Sequence, residues 1–278
     1  MNWKFAFRSF SLLFLFVFIT ACSKANTTPT SAPASTQASV NTETPAAAVT
    51  LATEAPGSPG DATLVAGEQC ANQYYPVREG ATWNYASTGS PAGNYNYTDS
   101  ITSVRADGYT LTSKFGDLTR TQEWACKPEG LVALQLGGGA LTSNNLKLQI
   151  ETQNATGVTY PAKINPGDEW DYALDFTGKM DLAGNSGDAT GNDKVHFKAL
   201  GVESVTVPAG TFDAMKVQTD TTLDINVTYQ GLKVPVAFTG SYTYWYAQDV
   251  GWVKASGTGS VAGQSFSENI ELQSFNVP

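Results

Sequence analysis

His196 is the single histidine of this chain, and so it is the first residue to consider for nucleophilic or general-base catalysis. Period-two alternation on an extended segment turns it away from Val195 and Phe197, beside Lys194 and Lys198. A hydrolase triad needs a nucleophile beside its histidine, and no motif places one there. One histidine is also too few for the usual zinc ligand sets. We therefore expect the chain not to be an enzyme.

Four carboxylates surround Trp170, and paired acids beside a tryptophan are typical of glycoside chemistry. They are Asp168, Glu169, Asp171 and Asp175. On a strand, the last three share the face opposite Trp170, and this arrangement suits a solvated surface. A carbohydrate-binding or carbohydrate-acting protein that uses tryptophan and acidic residues remains an alternative function.

A glycine-rich stretch supplies oxygen ligands that calcium accepts. The weak candidate set is Asp181, Asn185, Asp188 and Asp193. Its spacing matches neither the EF-hand nor the glycine-rich calcium-binding repeat, and hairpin loops use the same residue types. We expect no metal and no cofactor.

Aromatic residues form the most suggestive pattern in the chain. Tyr242, Tyr244 and Tyr246 share one face of a predicted strand, and Trp245 lies on the other face. Together with Trp170 they are candidates to line a ligand groove. Such a row can bind an apolar or carbohydrate ligand, and it can equally pack a core. The sequence leaves both interpretations open.

The elements that must position these residues are β-strands. From Met215 to Tyr229, apolar and polar residues alternate with a period of two, as in one long strand with a single buried face. Shorter runs repeat the pattern between Gly, Pro, Asn and Asp turn signals, and no stretch of the mature domain shows a helical period. The prediction is an all-β fold with a strongly curved antiparallel sheet, either a half-barrel or an open barrel.

Two segments of the chain echo each other. Tyr75-Pro76 precedes a G-x-x-W-x-Y pattern that ends at Tyr85, and Tyr160-Pro161 precedes the same pattern, which ends at Tyr172. Two related halves that start near 75 and 160 explain this likeness, and so does ordinary turn and strand-start chemistry.

The N-terminus resembles that of bacterial lipoproteins. A basic start and a short apolar run lead to Ile19-Thr20-Ala21-Cys22, which is similar to a lipobox. The resemblance implies a signal peptide at 1–21 and a lipid attached to Cys22. The apolar run is too short for a spanning helix, which needs about 20 residues.

Composition divides the mature chain into two parts. Residues 22–66 are rich in Thr, Ala, Pro and Ser, and we expect a disordered linker there. Residues 67–278 form the predicted β-rich domain, whose 13 basic and 22 acidic residues give a charge of 13 − 22 = −9. This charge argues against nucleic acid as a partner. Two cysteines remain besides Cys22, and we expect Cys70 and Cys126 to form a disulfide in an oxidising compartment.

Three segments resemble motifs of the TapB-like lipoproteins of the bacterial cell envelope. They are residues 75–85 (YPVREGATWNY), 205–217 (VTVPAGTFDAMKV) and 244–254 (YWYAQDVGWVK). This family is similar in turn to the LolA/LolB-like group, and so the resemblance implies a half-barrel around a hydrophobic groove. It supplies no catalytic residues.

The expected function is a lipid-anchored, extracytoplasmic binding or structural module of the bacterial cell envelope, with an apolar ligand in the concave sheet. Its expected partners are a membrane, through the N-terminal lipid, and an apolar ligand or an envelope protein. The third alternative is a spacer or assembly protein without a small ligand. The sequence does not indicate which membrane holds the anchor.

Overall fold

The computed structural model describes residues 70–278 except 92, 136–139, 143–145, 183 and 262. The predicted signal peptide, Cys22 and the predicted linker lie outside the described residues. No helix in the described part of the chain is long and apolar enough to cross a membrane.

The described residues form fourteen β-strands. Their bounds are β1 Thr82–Thr88, β2 Tyr95–Arg105, β3 Gly108–Phe115, β4 Leu118–Lys127, β5 Gly130–Ala133, β6 Ala140–Thr142, β7 Leu146–Gly157, β8 Tyr160–Pro161, β9 Glu169–Leu182, β10 Asn185–Val207, β11 Gly210–Tyr229, β12 Leu232–Ala247, β13 Gly251–Val261 and β14 Gln264–Asn276.

All of these strands belong to one antiparallel sheet, in the order β3-β2-β1-β14-β13-β12-β11-β10-β9-β7-β6-β4-β5-β8. The first and last strands, β1 and β14, pair with each other. Strand β3 also pairs with β4, so the hydrogen-bonded ladder curls until it returns to its own start. The predicted all-β fold with a strongly curved antiparallel sheet is confirmed.

Long strands and irregularities in register produce the curvature. Strands β10 and β11 have 23 and 20 residues, and the natural twist of strands this long coils a sheet. Register shifts interrupt five pairings, and each one bends its strand locally. They lie at Asn84/Tyr85, Ile101/Ser103, Thr152/Asn154, Ala199/Gly201 and Trp245/Tyr246.

The core lies at one end of the curled sheet, which we call the closed end. Here the turns between β10 and β11 and between β12 and β13 meet, and Ala214, Met215, Val253 and Leu272 are 0–2% exposed. Several inward-facing residues near the opposite end, which we call the open end, are only partly buried. Examples are Ile225 and Val236.

The segment before β1 covers the closed end. Cys70 forms a disulfide with Cys126 of β4. The Asn72 side-chain amide donates to the carbonyl oxygen of Pro161 at 2.9 Å, and the backbone N–H of Asp249 donates to the carbonyl of Gln73 at 3.1 Å. These bonds fix the chain where it enters the domain.

Candidate functional site: an aromatic cavity inside the curled sheet

A cavity of about 480 Å³ lies inside the sheet, between the core and the open end. Strands from the N-terminal part of the domain, such as β2 and β4, and from its C-terminal part, such as β12 and β14, contribute to its wall. Fourteen of its 27 lining residues are aromatic: Tyr75, Tyr95, Tyr97, Phe115, Trp124, Tyr160, Tyr172, Phe197, Phe238, Tyr242, Tyr244, Tyr246, Trp252 and Phe266. Binding sites for small molecules have similar volumes, about 300–1,000 Å³, and similarly apolar walls.

Stacked rings form the floor of the cavity towards the closed end. Tyr75 stacks on Tyr160 with ring centroids 5.0 Å apart, and it also contacts Trp124 at 6.1 Å and Tyr109 at 6.0 Å. Trp124 and Tyr160 are nearly parallel, 5.5 Å apart. Because Tyr75 belongs to the segment that covers the closed end, this segment both seals the core and shapes the cavity.

Glycines on β13 leave room for the rings of the adjacent wall. A Cβ atom on Gly257 would lie 2.3 Å from the carbonyl oxygen of Ser241 and 2.7 Å from the ring of Tyr242. A Cβ on Gly259 would lie 2.5 Å from the ring of Phe266. A larger residue at either position would displace these rings, and both rings line the cavity.

A partly buried carboxylate accepts three hydroxyl hydrogen bonds in the wall. Glu268 Oε1 accepts from Ser87 Oγ at 2.5 Å and from the Tyr95 hydroxyl at 3.0 Å, and Oε2 accepts from the Tyr242 hydroxyl at 3.3 Å. We call Ser87, Tyr95, Tyr242 and Glu268 the Glu268 cluster. Burial raises the pKa of Tyr95 to about 12, so its hydroxyl stays a donor at neutral pH.

Asp99 and Arg120 form an ion pair in another part of the wall. Arg120 Nη2 lies 3.8 Å from Asp99 Oδ1 and 2.8 Å from Ser113 Oγ. The Asp99 side chain is 8% exposed. Burial raises the pKa of its carboxyl, and the guanidinium of Arg120 opposes this shift. The guanidinium also lies 5.2 Å from the centre of the Phe115 ring.

Asp193 is the third carboxylate of the wall. Its Oδ1 atom is buried and accepts no hydrogen bond from the described residues. Burial raises the pKa of Asp193 to about 6, and the carboxylate in turn adds to the raised pKa of Tyr172. The indole N–H of Trp124 is likewise buried without an acceptor in the described part of the chain. The wall therefore contains both an unpaired acceptor and an unpaired donor.

The predicted groove residues are divided between the two faces of the sheet. Tyr242, Tyr244 and Tyr246 line the cavity. Trp170 is on the inner side of β9, but it stacks on Phe197 with centroids 5.0 Å apart and is not a lining residue. The expectation for Trp245 was wrong, because its indole N–H donates to Glu203 Oε1 at 2.6 Å on the outer face.

The acids around Trp170 lie away from the cavity. Glu169 pairs with Lys198 at 2.5 Å, and Asp171 pairs with His196 at 2.8 Å, all four being exposed. The contact between His196 and Asp171 was not anticipated from the sequence. Neither pair contacts Trp170, because side chains alternate between the two faces of the strand.

The four weak calcium candidates do not come together. Asp188 pairs with Lys179 on the outer face, whereas Asp193 faces the cavity. Asp181 accepts a hydrogen bond from the backbone N–H of Gly184, as the side chain of a turn residue does. Alternation along β10 separates Asp188 from Asp193, and the described residues contain no cluster of metal-ligating side chains.

The wall acids Asp99 and Glu268 were missed, although the sequence has a signal for them. Each acid lies two residues from an apolar or aromatic neighbour on both sides, in Tyr97-x-Asp99-x-Ile101 and Phe266-x-Glu268-x-Ile270. On a strand, that spacing puts the acid on the buried face. Asp193 has an apolar neighbour two residues away on one side only, Val195, because Gly191 lies on the other side.

A second cavity of about 490 Å³ lies along β7, β9 and β10. Its apolar side chains are those of Ile150 and Ala189, and its other lining residues include the Lys179–Asp188 ion pair. The interior cavity is therefore the stronger candidate for binding an apolar molecule.

One protein-family model matches part of the chain that forms this sheet. Residues 139–258, which run from β6 into β13, match the model of the DUF3108-like family. No curated protein matches the sequence. The TapB-like resemblance stays a prediction.

Three solved structures are similar in outline. A Bacteroides fragilis protein named as exported and YmcC-like in fold is 15% identical, with a TM-score of 0.46 over 74% of this chain and 100% of that one. A Parabacteroides distasonis lipoprotein is 17% identical, with a TM-score of 0.39 over 74% and 99%. The lipoprotein YmcC of Escherichia coli is 10% identical, with a TM-score of 0.35 over 72% and 88%.

Proposed function

We propose that this protein is a non-enzymatic binding module of the bacterial cell envelope, anchored by lipid on Cys22, that holds an apolar or amphipathic molecule inside its curled sheet. The observation that carries the proposal is the interior cavity of about 480 Å³ with fourteen aromatic residues in its wall. A spacer protein has no need of such a space, since filling it with larger side chains would increase stability.

The disulfide supports the extracytoplasmic part of the proposal. Cys70 and Cys126 are bonded to each other, and such bonds persist in oxidising compartments outside the cytoplasm. The lipobox-like residues before Cys22 supply the anchor. Two or more acyl chains hold a protein stably at a bilayer where one chain does not.

Ligand binding is tested with the chain that follows the anchor, residues 23–278, and the neutral apolar dye N-phenyl-1-naphthylamine. Its fluorescence should rise on binding, and emission from Trp124 and Trp252 in the wall should change in parallel. Thr221 lines the cavity, and so Thr221→Trp should fill part of it. We expect dye affinity to fall about tenfold or more, which corresponds to ~1.4 kcal/mol.

Thr222→Trp is the matched control, because Thr222 neighbours Thr221 on β11 but is exposed on the outer face. It should bind the dye as the parent chain does. Absence of a fluorescence rise in the parent chain, or equal binding by the two variants, would contradict the proposal and favour the spacer.

The anchor is tested by fractionating cells that produce the full chain or its Cys22→Ser variant. The parent protein should sediment with membranes and the variant should not, since serine offers no thiol for the lipid. Equal sedimentation of both proteins, or an unprocessed parent protein inside the cell, would contradict the anchored location.

A further inference from the structure

The cavity wall carries more negative than positive charge. Its lining residues include three carboxylates, Asp99, Asp193 and Glu268, and one cation, Arg120. Arg120 lies 3.8 Å from Asp99 and donates to Ser113. This pairing balances Asp99 and leaves the two other acids without a cation among the lining residues.

Glu268 is held by neutral donors. Three hydroxyl groups donate to its two oxygens, and none of the ion pairs between described residues includes it. Glu268 is partly buried. Withdrawing a carboxylate from water without a counter-charge costs free energy, and a ligand that supplies the positive charge is attracted for that reason.

Aromatic rings surround the same carboxylate. Tyr95 and Tyr242 contact it directly, Phe115 lies 6.0 Å from Tyr95, and Tyr244 lies 6.2 Å from Tyr242. The faces of aromatic rings attract cations, and rings grouped around an acid are how proteins recognise alkylammonium groups. The aromatic wall continues from this point down to Tyr75.

We propose that the cavity binds a cationic amphiphile, with its ammonium group at Glu268 between Tyr95 and Tyr242 and its apolar body against the rings that lead to Tyr75. This inference rests on the proposed binding function and names the chemistry of the ligand. A fatty acid fits less well, because its carboxylate would add a fourth negative charge to a poorly solvated wall. Asp193 Oδ1 accepts no hydrogen bond from the described residues, and so it offers a second site for an N–H donor.

Probes of equal chain length and different head group separate charge from hydrophobic binding. Dodecyltrimethylammonium, dodecanoate and neutral dodecyl maltoside are each used below the concentration at which they form micelles. Each displaces N-phenyl-1-naphthylamine from residues 23–278 at neutral pH. We expect dodecyltrimethylammonium to displace the dye at a concentration about tenfold or more below that of either other probe.

Two outcomes overturn this inference and leave the proposed function standing. They are displacement by dodecanoate at an equal or lower concentration, and an equal or stronger effect of the maltoside. Failure of all three probes to displace a dye that binds also overturns the inference. A dye that does not bind at all is the separate failure of the proposed function.

Variants test whether Glu268 is the cation site. Glu268→Gln keeps the shape of the side chain and removes its charge, so the preference for the ammonium probe over the maltoside should fall severalfold or more. Glu271→Gln is the matched control on the outer face of the same strand, and its preference should be unchanged. Salt should weaken binding of the ammonium probe in the parent and control chains more than in Glu268→Gln.

Asp193→Asn keeps the test decisive where Glu268→Gln does not fold. Asp193→Asn should reduce the same preference, whereas Asp224→Asn on the outer face of β11 should not. An unchanged preference in every folded cavity variant overturns the inference.

Discussion

Tyr75 and Tyr160, the tyrosines of the two Tyr-Pro pairs, stack with ring centroids 5.0 Å apart and ring planes at 16°. Tyr75 precedes β1 and Tyr160 begins β8, so the stack joins parts of the chain that are far apart in sequence. Both rings lie at the floor of the cavity. The likeness of the two segments thus has a shared structural role, and the duplication of two halves stays a prediction.

A double-mutant cycle measures the energy of this stack. Tyr75→Leu and Tyr160→Leu, alone and together, should show a coupling of about 0.5–1.5 kcal/mol in urea unfolding, because stacked aromatic rings stabilise each other beyond their buried area. Tyr229 lies at the other end of the sheet, so Tyr75→Leu and Tyr229→Leu should be additive within ~0.5 kcal/mol. An additive Tyr75/Tyr160 pair would mean that the two rings act independently.

Two of the segments that resemble TapB-like motifs, residues 75–85 and 244–254, contact each other in the folded chain. The Trp83 indole N–H donates to the carbonyl of Val250 at 2.5 Å, and the Tyr85 hydroxyl donates to the carbonyl of Trp252 at 2.9 Å. The rings of Tyr85 and Trp252 stack at 4.0 Å. These contacts link β1 to β13 and to the turn before it, across the intervening strand β14.

Tyr85→Phe should lower the free energy of unfolding by about 1 kcal/mol, since it removes one buried hydrogen bond and keeps the stacked ring. Tyr85→Leu removes the ring as well and should cost about 2 kcal/mol more. The urea midpoints of both variants check the order. A Tyr85→Phe midpoint equal to that of the parent would show that the hydroxyl contributes nothing to stability.

The disulfide should stabilise the segment that covers the closed end. Cys70 and Cys126 are separated by 56 residues, and closing a loop of this length contributes up to about 4 kcal/mol in the chain-entropy model. Cys70→Ala with Cys126→Ala should therefore lower the free energy of unfolding by about 2–4 kcal/mol. Parent chain treated with reductant should unfold at the same urea concentration as the double variant, and a difference between them would point to an effect of the alanines themselves.

Strand identity and the direction of most side chains could be predicted from the sequence. The alternation from Met215 to Tyr229 gives a strand, and β11 runs from Gly210 to Tyr229 with Val217 buried and Asp220 exposed. This works because period-two alternation is a local property of the chain.

Which strands meet around the curled sheet could not be predicted. The pairing of β1 with β14 joins the first strand to the last, and it depends on how far the whole sheet twists, which is a sum over every strand. The direction of Trp245 was uncertain for the same reason, because alternation shows that Tyr244 and Trp245 lie on opposite faces but not which face is inside. The inward direction of Asp99 and Glu268 could be predicted from the local pattern. Their contacts with Arg120 and with the hydroxyl groups could not, because these contacts depend on which strands are neighbours in the folded sheet.

Asp193 should make stability depend on pH. Its pKa is about 6 in the folded protein, against 3.8 for an ordinary aspartate, so the folded protein holds this proton more tightly than the unfolded chain does. The resulting stabilisation is fully present below pH 3.8 and is lost as pH rises through about 6. Asp193→Asn has no such proton, and it should be more stable than the parent by about 1–2 kcal/mol at pH 7.5 but similar to it near pH 4, after allowance for partial solvation.

Urea unfolding of both proteins at pH 4, 5, 6 and 7.5 measures this difference, because every other carboxylate titrates alike in the two chains. Asp224→Asn is the control, since Asp224 is exposed beside this position on the neighbouring strand and its removal should change stability by less than ~0.5 kcal/mol at each pH. A constant difference between parent and Asp193→Asn across this range would show that the carboxyl has the same pKa in the folded and unfolded states. In that case Asp193 would be a permanent negative charge in the cavity wall, and its attraction for a cationic ligand should be independent of pH above 5.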